Sequence, residues 1–209
     1  MTAPAAPPRA LVLDLGGVVF HYRPERRFDG FARATGLDAG TVRKRLMDSG
    51  YSRSCDAGRL NAEAAWREGC RLLDTRLGFE RFQTLWISAF EPDEAVVALV
   101  RRLKLETRVA LAMLTNNSAL VRQGLEGRFA DVLELFRPRL FSAEAGVLKP
   151  DPRLFRTLLT LMGNGPDEVL FVDDDAVHVD AAAALGMQAM RFTGATELEV
   201  MLRERGVPW

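Results

Sequence analysis

ALVLDLGG, residues Ala10 to Gly17, is a short unbroken apolar run that ends on an acid and two glycines. Such a run, bounded by a turn signal, reads as a strand buried on both faces, the kind found in parallel sheets, rather than as a half-exposed alternating strand. An acid at its carboxyl end, followed by Gly16-Gly17, marks a turn where function tends to sit. Three further runs have the same character: Val109 to Leu114 ending in Thr115-Asn116, Val169 to Val172 ending in Asp173-Asp174-Asp175, and Gln188 to Phe192.

Helical spacing fills the intervals between these runs. Ala95, Val96, Leu99, Val100 and Leu103 form one apolar stripe, and Leu154, Phe155, Leu158, Leu159 and Met162 form another. Ala176 to Leu185 is alanine-rich, with Gly186 as its stop. Alternating strands and helices predict an α/β fold with a doubly wound parallel sheet. Sheets of this kind bind ligands at the carboxyl ends of their strands, and Asp14, Thr115, Asn116, Asp173 and Asp174 all fall there.

The stretch from Arg23 to Glu91 has a different texture. It has no strand-like run and contains amphipathic pieces at Pro24 to Thr35, Thr41 to Met47, Asn61 to Leu73 and Phe79 to Phe90. An all-helical insertion entered just after the first strand is expected to cover the strand ends as a lid. The expected organisation is therefore a core of residues 9–22 plus 92–209, a helical cap over 23–91, and a disordered N-terminus over 1–8.

Composition narrows the functional classes. The 209 residues carry 28 Lys and Arg against 28 Asp and Glu, with 48% apolar and 27% charged residues. A balanced chain without a basic run lacks the electrostatic footprint of nucleic-acid binding and has no reason to adhere to anionic membranes. No segment reaches membrane-spanning length. Small-molecule chemistry is the expectation, in the cytoplasm, and nothing in the sequence speaks to oligomeric state. Cys55 and Cys70 lack metal-ligand spacing; two reduced thiols are expected, with a disulfide between them as the alternative. MTAPAAPPR at the start reads as a frayed terminus rather than a signal peptide.

Four segments follow in order: LVLDLGGVVF with Asp14, AMLTNN with Thr115 and Asn116, GVLKPDPRLF with Lys149, and VLFVDDDAVHVDAA with Asp173 and Asp174. Together they resemble the four motifs of the haloacid dehalogenase-like superfamily, over the whole chain outside the helical insertion, which sits where that family carries its first type of cap. The first motif is most similar to the Asp-x-Gly-Gly/Asn-Val subgroup, which includes bacterial sugar-1-phosphate phosphatases such as those acting on α-D-glucose-1-phosphate. The resemblance implies a Rossmann-like core and a phosphatase acting on a small phosphorylated metabolite. Asp14 would be the nucleophile, transiently phosphorylated. Thr115, the backbone N–H of Asn116 and Lys149 would hold the phosphoryl oxygens, and Lys149 would keep Asp14 ionised. Mg²⁺ would be held by Asp14, Asp174 and the Gly16 carbonyl, with Asp173 binding it or orienting its ligands. Carboxylate crowding independently calls for a cation, because clustered acids in a partly dry site need neutralising charge. Helix capping by the Asp173-Asp174-Asp175 run is the alternative reading, favoured at Asp175.

Two positions depart from the family pattern. Most phosphatases of the superfamily carry a second Asp two residues after the nucleophile, as acid and base; here Gly16 stands in its place. Losing such a group removes a factor of roughly 10² to 10⁴, which leaves turnover of esters with good leaving groups. His178 stands where the fourth motif usually has Asp or Asn, and it and His21 are the chain's two histidines. Either one supplying the missing acid is one reading; a supporting or exposed role is the other. In the cap, Tyr51, Arg53, Asp56 and Arg59 lie in the polar stretch DSGYSRSCDAGRL, expected as a loop facing the site. Trp66, Phe79, Phe82, Trp86 and Phe90 are expected as cap core. Two other functions compete with the phosphatase: a 2-haloacid dehalogenase, which uses the carboxylate against carbon without metal, and a catalytically silent phosphate-binding protein.

Overall fold

Ala10–Leu13 forms β1, the middle strand of a five-stranded sheet, in a computed structural model that describes residues 6–207. The other strands are β2 (Phe20–Tyr22), β3 (Phe90–Pro92), β4 (Ala110–Thr115), β5 (Arg139–Phe141), β6 (Val169–Asp173) and β7 (Gln188–Arg191). The main sheet runs β5-β4-β1-β6-β7 with every pairing parallel, and β2 pairs with β3 as a separate antiparallel ribbon. Alternate residues of the central strands feed opposite faces. Leu11, Leu13, Met113, Leu170 and Val172 join one apolar cluster; Ala10, Val12, Ala112, Leu114, Val169 and Phe171 join the other, with Leu154, Phe155 and Leu158 packed over them. Burial on both faces explains why these strands read as continuous apolar runs.

Register positions the site. Leu13 lies opposite Met113 on one side and Val172 on the other, and the Asp14 N–H donates to the Val172 carbonyl at 3.0 Å. Asp14, Thr115 and Asp173 therefore leave the sheet side by side at its carboxyl edge. β1 is also where strand order reverses, with β4 and β5 on one side and β6 and β7 on the other, so a crevice opens there.

Between β2 and β3 the chain is helical, at Pro24–Thr35, Ala39–Arg43, Tyr51–Asp56, Ala62–Leu73 and Phe79–Ile87, with a π-helical turn at Lys44–Asp48. The helical run is therefore bracketed by a strand pair that sequence reading did not anticipate. Phe90, expected in the last helix, belongs instead to β3. Tyr51–Asp56, expected as loop, is a helix, and the Tyr51 hydroxyl points into packing, donating to the Ala65 carbonyl at 2.5 Å. Phe82 and Trp86 stack within this layer at 6.0 Å between ring centroids, a pair worth about 1 kcal/mol beyond burial. The layer's apolar residues are continuous with those on one face of the sheet.

Other expectations meet local differences. The helix Glu94–Glu106 buries Val97 rather than Ala95, and the Asp93 carboxylate caps it by accepting from the Ala95 and Val96 N–H groups. Cys55 and Cys70 are both buried and free. Residues 1–5 of the expected disordered terminus lie outside the described residues. Ala6 and Pro8 pack against the sheet edge: the Ala6 carbonyl accepts from Gln188 Nε2 at 2.9 Å and Pro8 is buried. Among the described residues no helix is long and apolar enough to cross a membrane.

Candidate active site

Three carboxylates and one ammonium meet at the sheet's carboxyl edge. Lys149 Nζ lies 2.9 Å from Asp14 Oδ1 and 2.6 Å from Asp173 Oδ2, and donates to the Leu114 carbonyl at 3.1 Å. Asp14, Asp173 and Asp174 each present an oxygen within 4.8 Å of the others. Asp173 and the Lys149 side chain have no solvent exposure, whereas Asp174 is exposed at the rim.

Lys149 comes from the loop before the helix Pro152–Met162, and a neighbouring motif fixes it. Asn116 Oδ1 accepts from the Lys149 backbone N–H at 2.7 Å, and Asn116 Nδ2 donates to the Lys149 carbonyl at 3.0 Å. The Asn116 side chain is thereby occupied in holding the lysine. Its neighbour Thr115 is buried, and the Thr115 hydroxyl accepts from Asn117 Nδ2 at 2.7 Å, which leaves its own proton to donate elsewhere.

Burial is the largest influence on these groups. It pushes the Asp14 carboxyl above its ordinary range; Lys149 pulls it back and Asp173 pushes it further up. Lys149, expected to keep Asp14 ionised, pulls its carboxyl down, with burial and the Asp173 charge acting against it. Burial also pushes Asp173 up, but the His178 hydrogen bond and the Lys149 ammonium together win and hold it at about 2. Lys149 is raised, burial opposing and the two aspartates prevailing. Asp174 is raised by burial and by the charge of Asp173.

Three carboxylates against one lysine leave the cluster short of positive charge. Asp14 Oδ1 is buried and, apart from its ion pair with Lys149, receives no well-directed hydrogen bond. An all-oxygen donor set with an unsatisfied buried oxygen fits a hard divalent cation. Asp174 does not cap a helix. Asp175 does, accepting from the Val177 N–H at 2.9 Å.

Gly17 makes room for this arrangement. Its φ is +86°, and a Cβ there would lie 2.3 Å from Asp174 Oδ2. Gly16 is different: the nearest atoms to a Cβ on it would be Phe90 Cε1 at 3.4 Å and Tyr22 Cβ at 3.7 Å, ordinary van der Waals contacts.

The two histidines part company. His178 Nδ1 lies 3.1 Å from Asp173 Oδ1, one carboxylate earlier than helical spacing from Asp174 implied, and it lines the cavity over Asp14. His21 sits on β2, half-exposed, 3.8 Å from Asp93, outside that cavity.

The cavity holds about 200 Å³. From the strand ends and their loops Asp14, Gly16, Thr115, Asn116, Lys149 and His178 line it; Tyr22, Arg27, Ser52, Asp56, Trp86 and Phe90 line it as well. Of the residues expected to face the site from the helical layer, only Asp56 does. Arg53 and Arg59 line a neighbouring groove that shares Lys149 with this cavity, and Tyr51 is buried in packing. Trp86 and Phe90, expected as core alone, also border the cavity. Burial pushes the Asp56 carboxyl up to about 7, against the pull of the Arg27 charge. Sequence reading missed Arg27, which lies within the amphipathic stretch Pro24 to Thr35 on the face that turns inward; a charged residue in register with Phe31 was the available signal.

Comparisons with known proteins agree with this geometry. Residues 8–186 match the model of the haloacid dehalogenase-like hydrolases. The chain is 25% identical over 201 residues to the sesquiterpene phosphatase astK of Aspergillus oryzae, covering 94% of this chain and 95% of that one. It is 24% identical over 193 residues to the D-ribitol-5-phosphate phosphatase of Bacteroides thetaiotaomicron, covering 87% and 90%. A solved HAD family enzyme from Bacteroides thetaiotaomicron, in complex with magnesium and inorganic phosphate, superposes with a TM-score of 0.78 at 17% identity, over 89% of this chain and 94% of that one. With the parallel sheet and the strand-end carboxylates already in view, the match over residues 8–186 establishes that the chain belongs to the haloacid dehalogenase-like hydrolases.

Proposed function

We propose that the protein is a Mg²⁺-dependent phosphatase that hydrolyses a small phosphomonoester through an aspartyl-phosphate on Asp14. The observation that carries this reading is the convergence of Asp14, Asp173 and Asp174 on Lys149 at the strand ends. Phosphatase relatives and the magnesium and phosphate complex of a similar fold support it. A dehalogenase acting on carbon needs no cluster of this kind.

In the first step an Asp14 carboxylate oxygen attacks phosphorus and the ester P–O bond breaks; with Gly16 in place of the acid, the leaving oxygen departs as an anion that takes its proton from solvent water. Thr115 and Lys149 hold the phosphoryl oxygens, and the Asn116 side chain fixes the lysine backbone. Water then attacks the phosphorus of the aspartyl-phosphate, releasing phosphate and regenerating Asp14. Asp14, Asp173, Asp174 and the Gly16 carbonyl would hold Mg²⁺, which when bound supplies charge to neutralise the phosphoryl oxygens and the acidic cluster. Residues 23–91 act as the lid over a core of 9–22 plus 92–209, excluding water during the first step.

Phosphate and halide release, each measured with Mg²⁺ and with chelator, test the reading. Chelator-sensitive phosphate release is expected; chelator-insensitive halide release, or neither product, would sink it.

Two glycines yield further expected outcomes. At Gly16 a Cβ is accommodated, and Gly16→Asp restores a carboxyl at the missing acid position. It should raise turnover of alkyl phosphates, which need a proton at the leaving oxygen, more than that of aryl phosphates. An equal effect on both series would show that leaving-group protonation does not limit turnover. Gly17→Ala should lower stability by about 1–2 kcal/mol through the left-handed backbone, and raise the Mg²⁺ concentration needed for half-maximal activity by displacing Asp174. A thermal melt and a Mg²⁺ titration check both.

A further inference from the structure

Arg27 is 2% exposed, yet among the described residues no carboxylate lies within ion-pair distance of it. Its fixed partners are neutral: Nε donates to the Trp86 carbonyl at 2.7 Å, one terminal nitrogen reaches the Tyr22 hydroxyl at 3.4 Å, and the guanidinium lies 4.3 Å from the Trp86 ring centroid. Aromatic faces and a carbonyl hold a guanidinium in place without cancelling its charge. A buried charge without an ion-pair partner is costly, and a ligand of opposite charge bound beside it would offset that cost. Asp56 feels the Arg27 charge without forming an ion pair with it, and burial raises its carboxyl to about 7. Arg27 lines the same cavity as Asp14.

We infer that Arg27 is a specificity-determining residue that binds a carboxylate on the leaving group, so that the substrates are short phosphomonoesters of hydroxy acids. This inference rests on the phosphatase reading and adds the substrate class. Guanidinium and carboxylate match as a planar fork, and a dry, aromatic-lined setting strengthens the pairing. Size agrees. About 200 Å³ is below the range of pockets that enclose drug-sized ligands, which suits a short leaving group. Asp56, with Ser52 Oγ 3.4 Å from its carboxylate, offers polar contact to a hydroxyl on the same short leaving group.

The test compares phosphoglycolate with ethyl phosphate, in the full-length protein with Mg²⁺, for the wild type, Arg27→Gln and Arg27→Lys. Because each ester's intrinsic reactivity is common to all three proteins, the informative quantity is the ratio of kcat/KM values between the two esters. That ratio is expected to fall about 10- to 100-fold in Arg27→Gln, the range for losing a charge-assisted hydrogen bond. Arg27→Lys keeps the charge without the fork and should fall between. Equal losses on both esters in both variants would mean that Arg27 only supports the helical layer, and would overturn the inference; so would an unchanged ratio. Should Arg27→Gln fail to fold by thermal melt, the lysine variant and inhibition of wild-type turnover by glycolate relative to ethanol carry the same decision, equal inhibition by the two counting against. Phosphate release from neither ester, nor from an aryl phosphate, would sink the phosphatase reading instead. Release without a dependence on Arg27 sinks only the substrate class.

Discussion

Asp14→Asn is expected to abolish phosphate release, with a loss of at least about 10⁴-fold, while leaving the fold intact or more stable. The amide keeps the shape of the side chain but has no anionic oxygen to attack phosphorus, so the loss is one of chemistry rather than of architecture. The stability half follows from electrostatics. Burial, with Asp173 adding to it, raises the Asp14 carboxyl against the pull of Lys149. An acid whose folded pKa lies above its unfolded value costs the fold stability once it is ionised, and that cost is present above the folded pKa. A neutral amide removes it. Turnover and a thermal melt at neutral pH check the two halves together: a variant that loses activity and also melts well below wild type would point to structural collapse instead.

Lys149→Met should have the largest effect on stability. The lysine is fully buried and neutralises two acids, at 2.9 Å from Asp14 and 2.6 Å from Asp173. Removing one partner of a buried pair leaves uncompensated charge, at about 3–5 kcal/mol. On the proposed role of Lys149 in holding the phosphoryl oxygens, its loss should separately cost turnover of about 10²- to 10³-fold. Mg²⁺ provides an internal control. If the acids are a cation site, added Mg²⁺ should raise the Tm of Lys149→Met more than that of wild type, because it then replaces the charge that Lys149 no longer brings to Asp14 and Asp173. A denaturant titration with and without Mg²⁺ measures both quantities, and an equal Mg²⁺ response in the two proteins would count against the carboxylates as ligands.

The sheet was legible in the sequence because both of its faces are covered, which forces continuous apolar runs at Ala10 to Leu13 and Val169 to Val172. The rim was legible for a related reason: polar residues that follow buried strands have nowhere to go but the carboxyl edge. Short elements left no such trace. Arg139–Phe141 and Phe20–Tyr22 are three residues each, too short for a period to register, and each carries a charged or polar residue where it meets solvent or a side contact. The helix Ala119–Arg128 buries only Leu120, Val121, Gly124 and Leu125, a narrow stripe among polar residues.

Within the site, Asp14, Lys149 and the aspartate run could be read because motif order constrains them. Arg27 could not, because its role depends on which face of a lid helix turns inward and on which acids stay out of reach. Both are properties of packing. Asp56 was noticed only as one polar residue among four, and just one of those four reaches the cavity. The helix Tyr51–Asp56, hidden by its Gly50 entry and serine content, is what separates it from its neighbours.

The most direct test of Asp14 as nucleophile is to quench turnover in acid, reduce the enzyme with borohydride, and map the modified residue by peptide mass spectrometry. An acyl phosphate is reduced where a free carboxylate is not, so conversion of Asp14 to homoserine during turnover, at that position and not without substrate, is the expected result. Sustained phosphate release with Asp14 unmodified, or modification at Asp173 or Asp174 instead, would contradict it.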